Sequence, residues 1–293
     1  MSGRPKAPYG DLYIYYVKGR VGSDPAFCAD AFIGDWQEEE DAFLFFHQPA
    51  ETEITGLLRR QPHLKLEDRY EMSYEQWHGG PIEPMTVGRL TILPAWHPIP
   101  TPPPTDTIRL DPGVVFGTGT HPTTRDCLDA LQQAFDYRPV TRVLDLGTGT
   151  GLLAMAAAHL GARQVVALDL NRLAAVTALR NVKLNHLTDR IVVVQGNAKN
   201  YIDLACDLMV SNIHYAVMGE LIVSPRFQKH TQFIVSGLLR SQARQIEALL
   251  RERAAVILRR WSREDTWFTF WGYNAETAGL KRNAKNNAAP NRP

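Results

Sequence analysis

No surplus of either charge sign marks this chain: of 293 residues, 32 are Lys or Arg and 31 are Asp or Glu, a formal net charge of +1. A dedicated nucleic-acid binder carries a basic footprint that neutralises phosphates, so no direct nucleic-acid substrate is expected. Cysteine is scarce. Cys28, Cys127 and Cys206 are odd in number, widely spaced and form no CxxC pair. They offer neither a disulfide framework nor a zinc site, so no metal is expected, and a reducing cytoplasm suits such a chain. Long apolar runs are missing too. The most apolar helical stretch, residues 152–160, contains His159 and falls far short of the ~20 residues that cross a bilayer. Residues 1–19 have no apolar core ahead of a cleavage site and do not read as a secretory signal. The expectation is a soluble, cytoplasmic protein without membrane contact. Its 44% hydrophobic and 22% charged residues suffice for a real core.

Proline is concentrated in one place. Residues 97–105 read HPIPTPPPT, which cannot be helix or central strand because proline fixes φ and removes donors. Such a stretch behaves as a semi-rigid spacer. It divides the chain into residues 1–97, a linker at 98–106, residues 107–274, and a tail at 275–293 whose Asn, Ala, Lys and Pro show no periodicity and suggest disorder.

Before the spacer, strand-like runs at 12–17, 32–36 and 42–47 surround a short helix at 24–31 and the acidic turn Glu38-Glu39-Glu40-Asp41. A helix at 52–60 and strands at 64–74 and 87–93 follow. The order β-α-β-β-α-β suggests a small α+β, ferredoxin-like unit. After the spacer, short apolar runs at 143–146, 165–168, 191–194, 208–210 and 233–235 alternate with amphipathic helices such as 152–160 and 173–185. Apolar strands of this kind are buried on both faces, so the repeat predicts a doubly wound parallel α/β sheet. Runs at 254–261 and 267–273 add an antiparallel terminal hairpin.

Chemistry concentrates at four points. Residues 143–151, VLDLGTGTG, describe a strand, a glycine-rich turn and a helix start whose free N–H groups face a ligand. A tight turn with no ligand would look similar. The third glycine comes one residue too early for the dinucleotide fingerprint G-x-G-x-x-G, and no Gly-Lys-Ser or Gly-Lys-Thr follows, which excludes a phosphate-cradling loop. Asp169 ends the next strand, where a carboxylate accepts both ribose hydroxyls of a nucleoside; a charge at a helix start is the plain alternative. Asn197, after the third strand, lies toward the adenine end or in an ordinary turn. Asn212 ends the fourth strand, at the crevice where open α/β sheets bind ligands. It orients an attacking amine or caps the next helix, and spacing alone does not separate the two. The fourth point is 110–124, LDPGVVFGTGTHPTT. Pro122, Thr123 and Thr124 suit a helix start, but the FGTGT before them is more turn chemistry than a cap requires.

The run FGTGTHPTT ahead of this glycine loop resembles the PrmA family of ribosomal-protein methyltransferases, within the class I S-adenosylmethionine-dependent methyltransferases. The likeness continues through 145–151, Asp169, Ser211-Asn212-Ile213 and Ser236-Gly237-Leu238-Leu239. It implies a class I methyltransferase Rossmann-like sheet and S-adenosyl-L-methionine as cofactor. Phe116, Gly117, Thr118 and Thr124 would line the cofactor pocket, Gly147 and Gly149 would face its methionine end, and Asp169 would hold the ribose. Asn212, the implied catalytic residue, would also touch the cofactor and, with the Ile213 carbonyl, receive the target amine. The implied activity is N-methylation of lysine or N-terminal amines of large-subunit ribosomal protein eleven. The alternative is the same chemistry on another protein lysine or a small molecule; a cofactor-sensing protein without turnover is a more distant reading. The chain departs from the family pattern at Thr148, at Ile213-His214-Tyr215 and in its basic tail.

Overall fold

The computed structural model describes residues 6–23, 30–102 and 104–277. The short helix expected at 24–31 and the tail expected at 275–293 fall largely outside them, as does Cys28.

Alternation of apolar residues builds the first sheet. Strands β1 (Asp11–Lys18), β2 (Phe32–Glu38), β3 (Asp41–Phe46) and β4 (Lys65–Ser73) pair antiparallel in the order β2-β3-β1-β4, which is the ferredoxin-like arrangement anticipated from the order of runs. Helix α1 (Glu51–Arg60) joins β3 to β4. Its acidic first turn and basic last turn complement the helix dipole. Because side chains alternate across a strand, one face carries Tyr15, Val17, Leu44 and Phe46, which bury against Ile54 and Leu57 of α1. The opposite face carries Leu12, Ile14, Phe43, Phe45 and Trp36 and turns toward the rest of the chain. There Leu12, Ile14 and Phe45 share a core with Val114, Val115, Leu173 and Ala174.

The run at 87–93 departs from expectation. Helix α2 (Tyr74–Trp77) ends the first unit, and strands β5 (Met85–Val87), β6 (Leu90–Pro94) and β7 (Asp106–Leu110) form a sheet of their own, with β6 and β7 parallel. Leu90, Ile92, Ile108 and Leu110 enter the same core as Leu128 and Leu131. The proline-bearing stretch thus connects neighbouring strands of one small sheet. The expected strand 87–93 is split by a turn at Gly88 and Arg89, and its apolar content does not encode which sheet it joins.

The remaining elements form the doubly wound sheet. Helix α3 (Pro122–Tyr137) precedes β8 (Arg142–Leu146), α4 (Leu152–His159), β9 (Gln164–Asp169), α5 (Arg172–Leu184) and β10 (Ile191–Gln195). Then come β11 (Leu208–Asn212), α6 (Tyr215–Val223), β12 (Gln232–Leu239), α7 (Arg240–Glu252), β13 (Ala255–Arg263) and β14 (Trp267–Asn274). The sheet order is β10-β9-β8-β11-β12-β14-β13, parallel except for β14 against its two neighbours. Successive strand residues feed opposite cores. Leu208 and Val210 face α3 and α4, whereas Met209 faces α6 and α7. Strand order reverses between β8 and β11, so the C-terminal tips of β8, β9 and β11 converge on one crevice.

The terminal hairpin is closed on a glycine. A Cβ on Gly272 would lie 2.1 Å from the Val256 carbonyl oxygen and 2.7 Å from the Phe233 ring. Gly272→Ala is therefore expected to lower the unfolding free energy by about 1–3 kcal/mol, the usual cost of overpacking. Urea denaturation checks this, and an unchanged midpoint would contradict the packing.

Candidate active site

The glycine loop is anchored before any ligand arrives. The N–H groups of Gly147 and Thr148 both donate to the Leu168 carbonyl, each at 2.8 Å, tying the end of β8 to that of β9. Gly149 has φ +54°, and a Cβ there would come within 2.4 Å of the Phe116 carbonyl oxygen. Only glycine satisfies both conditions. Thr150 completes the join: its N–H donates to the Phe116 carbonyl at 3.1 Å and its hydroxyl to the Gly117 carbonyl at 2.7 Å. Two motifs distant in the sequence are thereby laced into one wall.

Asp169 serves that wall as well. One carboxylate oxygen accepts from the Gly149 N–H and the other from the Asn171 N–H, both at 2.9 Å. Asn171 in turn caps α5 through the N–H groups of Leu173 and Ala174. Burial raises the Asp169 pKa, and the backbone donors oppose the rise. A carboxylate has about four acceptor sites, so each oxygen keeps a lone pair for a further donor. Beneath the loop lies Asp145, 1% exposed. Its Oδ2 accepts from the Thr148 hydroxyl at 2.6 Å and its Oδ1 has no partner. Burial pushes this carboxyl up to about 7. Thr148, a departure from the family pattern, supplies the donor.

Asn212 closes the crevice from the other side. Its Nδ2 donates to Thr123 Oγ1 at 3.2 Å, and that hydroxyl lies 2.7 Å from His121 Nδ1. His121 is the N-cap of α3, and burial lowers its pKa. Its ring meets Phe116 edge-on with centroids 5.3 Å apart, and Trp267 at 4.8 Å. The chain of contacts fixes the Asn212 amide and leaves its carbonyl oxygen out of the relay.

Two cavities result. Phe116, Gly147, Gly149, Asp169 and Asn212 wall one of about 500 Å³, with Asn197, Ile213 and His214. Gly117 and Thr118 do not reach it; they wall a second cavity of about 1010 Å³, between loop 114–121 and the open face of the first sheet. Phe116 borders both and is 49% exposed. Thr124 borders neither. It is buried in the first turn of α3 with its hydroxyl unpartnered. Trp36 and Lys199 also border the smaller cavity, and the sequence reading named neither. Lys199 pairs with Glu220 across its rim. Strand alternation identifies the face Trp36 occupies, but only the docking of sheet on loop brings it to the crevice.

The model of the ribosomal protein L11 methyltransferase (PrmA) family matches residues 28–274. The chain belongs to this family. A ribosomal protein L11 methyltransferase of Desulfitobacterium hafniense is 41% identical over 181 residues, 60% of this chain and 57% of the relative. One from a Cyanothece species is 38% identical over 207 residues, 68% of each. The matched part of this chain thus spans little more than half the length of the first relative. The crystal structure of a ribosomal protein L11 methylase from Lactobacillus delbrueckii subsp. bulgaricus is 31% identical, with a TM-score of 0.58, and covers 66% of this chain and 98% of that one. The sheet is accordingly the Rossmann-like sheet of class I methyltransferases. Among the described residues no helix is long and apolar enough to cross a membrane, and no group of three or more His, Cys, Asp or Glu side chains forms a metal site.

The buried carboxyl has a measurable signature. With a folded-state pKa near 7 and an ordinary value of about 3.9, Asp145 holds its proton on folding. It costs the fold nothing below about pH 4 and an increasing amount as pH rises to about 7, after which the penalty is constant. Asp145→Asn does not titrate. Between about pH 4.5 and 7.5 the variant is expected to gain on the wild type by on the order of 1–3 kcal/mol. Urea denaturation at both pH values measures the gap, and a constant gap would show that Asp145 is already ionised in the fold.

Proposed function

We propose that this chain is an S-adenosylmethionine-dependent N-methyltransferase that acts on lysine or N-terminal amines of ribosomal protein L11. The observation that carries the reading is the convergence of Gly147, Gly149, Asp169 and Asn212 on one cavity of about 500 Å³ beside a larger apolar one. Family membership supplies the substrate.

The residues present fit the cofactor. Gly147 and Gly149 wall the cavity with bare backbone, where a Cβ would run into Ile213 or the Phe116 carbonyl. Asp169 retains acceptor sites for ribose hydroxyls after serving two backbone donors. Asn197 lines the same cavity and would meet the adenine. Phe116 lines the cavity directly, while Gly117 and Thr118 act one layer out and Thr124 supports the start of α3. The bound sulfonium supplies the methyl group, and the reactivity is the cofactor's.

The protein's part is alignment and desolvation. An in-line displacement needs nucleophile, methyl and sulfur on one axis, and holding them there accounts for much of the rate enhancement. Asn212, fixed through Thr123 and His121, offers its carbonyl oxygen to an amine N–H; the Ile213 carbonyl is a second acceptor. An amine so held points its lone pair away from both. A free lysine is almost wholly protonated near neutral pH, and an apolar compartment favours the neutral form. The sheet of β1 to β4 recognises the protein substrate, and its open aromatic face walls the larger cavity.

Incubation of the protein with radiolabelled S-adenosylmethionine and undermethylated ribosomes is expected to label L11. Label in a different component would keep the chemistry and remove the substrate; label in nothing, despite cofactor binding, would remove both. Asp169→Ala is expected to weaken cofactor binding by on the order of 1–3 kcal/mol, part of it through the released Gly149 N–H. Calorimetry reads this directly. Asn212→Ala should lower kcat at least about tenfold while shifting cofactor affinity less, because the lost contact acts on the aligned nucleophile. Equal turnover by variant and wild type would take Asn212 out of the mechanism.

A further inference from the structure

The two cavities share three wall residues: Trp36, Val115 and Phe116. Val115 and Phe116 belong to the loop that precedes α3. Trp36 belongs to β2, so among the described residues it is the one side chain through which the N-terminal sheet reaches the smaller cavity. Its position follows from register. Trp36 stands opposite Phe43, on the face that β3 and β1 continue with Phe45 and Ile14. Glu38 follows two residues later on the same face and also lines the larger cavity.

We propose that Trp36 is a substrate-contacting wall at the junction of the two cavities, where its ring and that of Phe116 flank the substrate's ammonium group as it enters from the larger cavity, before it gives up its proton beside Asn212. The proposal rests on the methyltransferase reading above and adds a residue from the first sheet to it. The chemistry is consistent along the path. The larger cavity is walled mainly by apolar and aromatic side chains, Trp36, Phe43, Phe45, Tyr70, Met72 and Trp77 among them, with the Glu38 carboxylate at its side. An alkyl chain ending in a cation suits that lining: the stem buries against apolar surface, the carboxylate attracts the charge, and aromatic faces stabilise a desolvated ammonium. A methylated ammonium is bulkier and less hydrated, and it retains the same attraction. The N-terminal sheet thereby sets specificity inside the compartment as well as at its surface.

The test separates a π-face from mere bulk. Full-length wild type, Trp36→Ala, Trp36→Leu and Trp36→Phe are assayed with ribosomal protein L11 and radiolabelled S-adenosylmethionine, alongside calorimetric cofactor affinity. Trp36→Ala is expected to raise the KM for L11 about tenfold, equivalent to about 1.4 kcal/mol, with cofactor affinity changed much less. Trp36→Phe should restore most of that loss and Trp36→Leu little, since leucine fills space without a quadrupole. Restoration by leucine equal to that by phenylalanine, or an unchanged KM in Trp36→Ala, overturns the proposal. If the wild type leaves L11 unlabelled, the substrate assignment fails, and N,N,N-trimethylbutylammonium in a saturation-transfer NMR titration decides Trp36 alone. Binding to wild type and Trp36→Phe but not to the other two supports the proposal; equal binding to all four, or to none, overturns it.

Discussion

The carbonyl of Phe116 is the fixed point of the site. It accepts the Thr150 N–H, and its approach to Gly149 leaves no room for a Cβ on the glycine loop. That single join sets the height of the loop at 114–121 over the sheet. The Phe116 ring then borders both cavities and meets His121 edge-on; His121 reaches Thr123, and Thr123 receives the Asn212 amide. Alignment of the amide at the tip of β11 therefore depends on a backbone contact made at the tip of β8. A segment that reads as an over-decorated helix cap acts as a brace between two strand tips.

The site's carboxylates divide their work by burial. Asp169 accepts two backbone N–H groups and still faces the cavity, so its charge is distributed over the turn it holds. Asp145 lies beneath the same turn with one oxygen unpartnered, and desolvation outweighs the Thr148 hydroxyl and the Ala154 backbone that oppose it. A protonated acid there can itself donate a hydrogen bond, which an ionised one cannot. Burial raises the pKa of both acids, and in each the donors oppose the rise: backbone N–H groups at Asp169, chiefly the Thr148 hydroxyl at Asp145. Thr148 is part of that balance, and a residue without a hydroxyl would leave Asp145 with neither oxygen served by a side chain.

Much of the fold was legible because it rests on local period. Apolar runs at 143–146, 165–168 and 208–210 became parallel strands, and the runs at 12–17, 32–36, 42–47 and 64–74 became the four-stranded sheet. That the glycine loop, Asp169 and Asn212 meet at one cavity was legible for a related reason: strand tips at a switch point converge on one crevice in sheets of this kind. What local pattern does not carry is partner choice. Residues 87–93 read as one strand, yet Val87 ends β5, Gly88 and Arg89 turn the chain, and Leu90–Pro94 pair with β7 across the proline-bearing stretch. Thr124 lies two residues past a proline at a helix start, and the same helical turn that makes it a plausible pocket residue rotates its hydroxyl into the core. Gly117 and Thr118 follow Phe116 directly but face the neighbouring cavity.

Trp36 illustrates the remaining gap and what fills it. Alternation places it on one face of β2 with Phe43, and nothing in the hairpin says where that face points. Packing does. Leu173 at the start of α5 lies so near Gly34 that a Cβ there would approach its Cδ1 to 2.4 Å. Leu12, Ile14 and Phe45 share a buried cluster with Val114, Val115, Leu173 and Ala174. The sheet is thus seated on the doubly wound fold by an apolar core. Asn171 caps α5 and is itself held by Asp169, so the residue that braces the glycine loop also sets the helix on which the sheet rests. The seat of the first sheet and the wall of the smaller cavity are then built around one carboxylate. A change in the Asp169 clasp is transmitted to both, through Gly149 on one side and through Leu173 on the other.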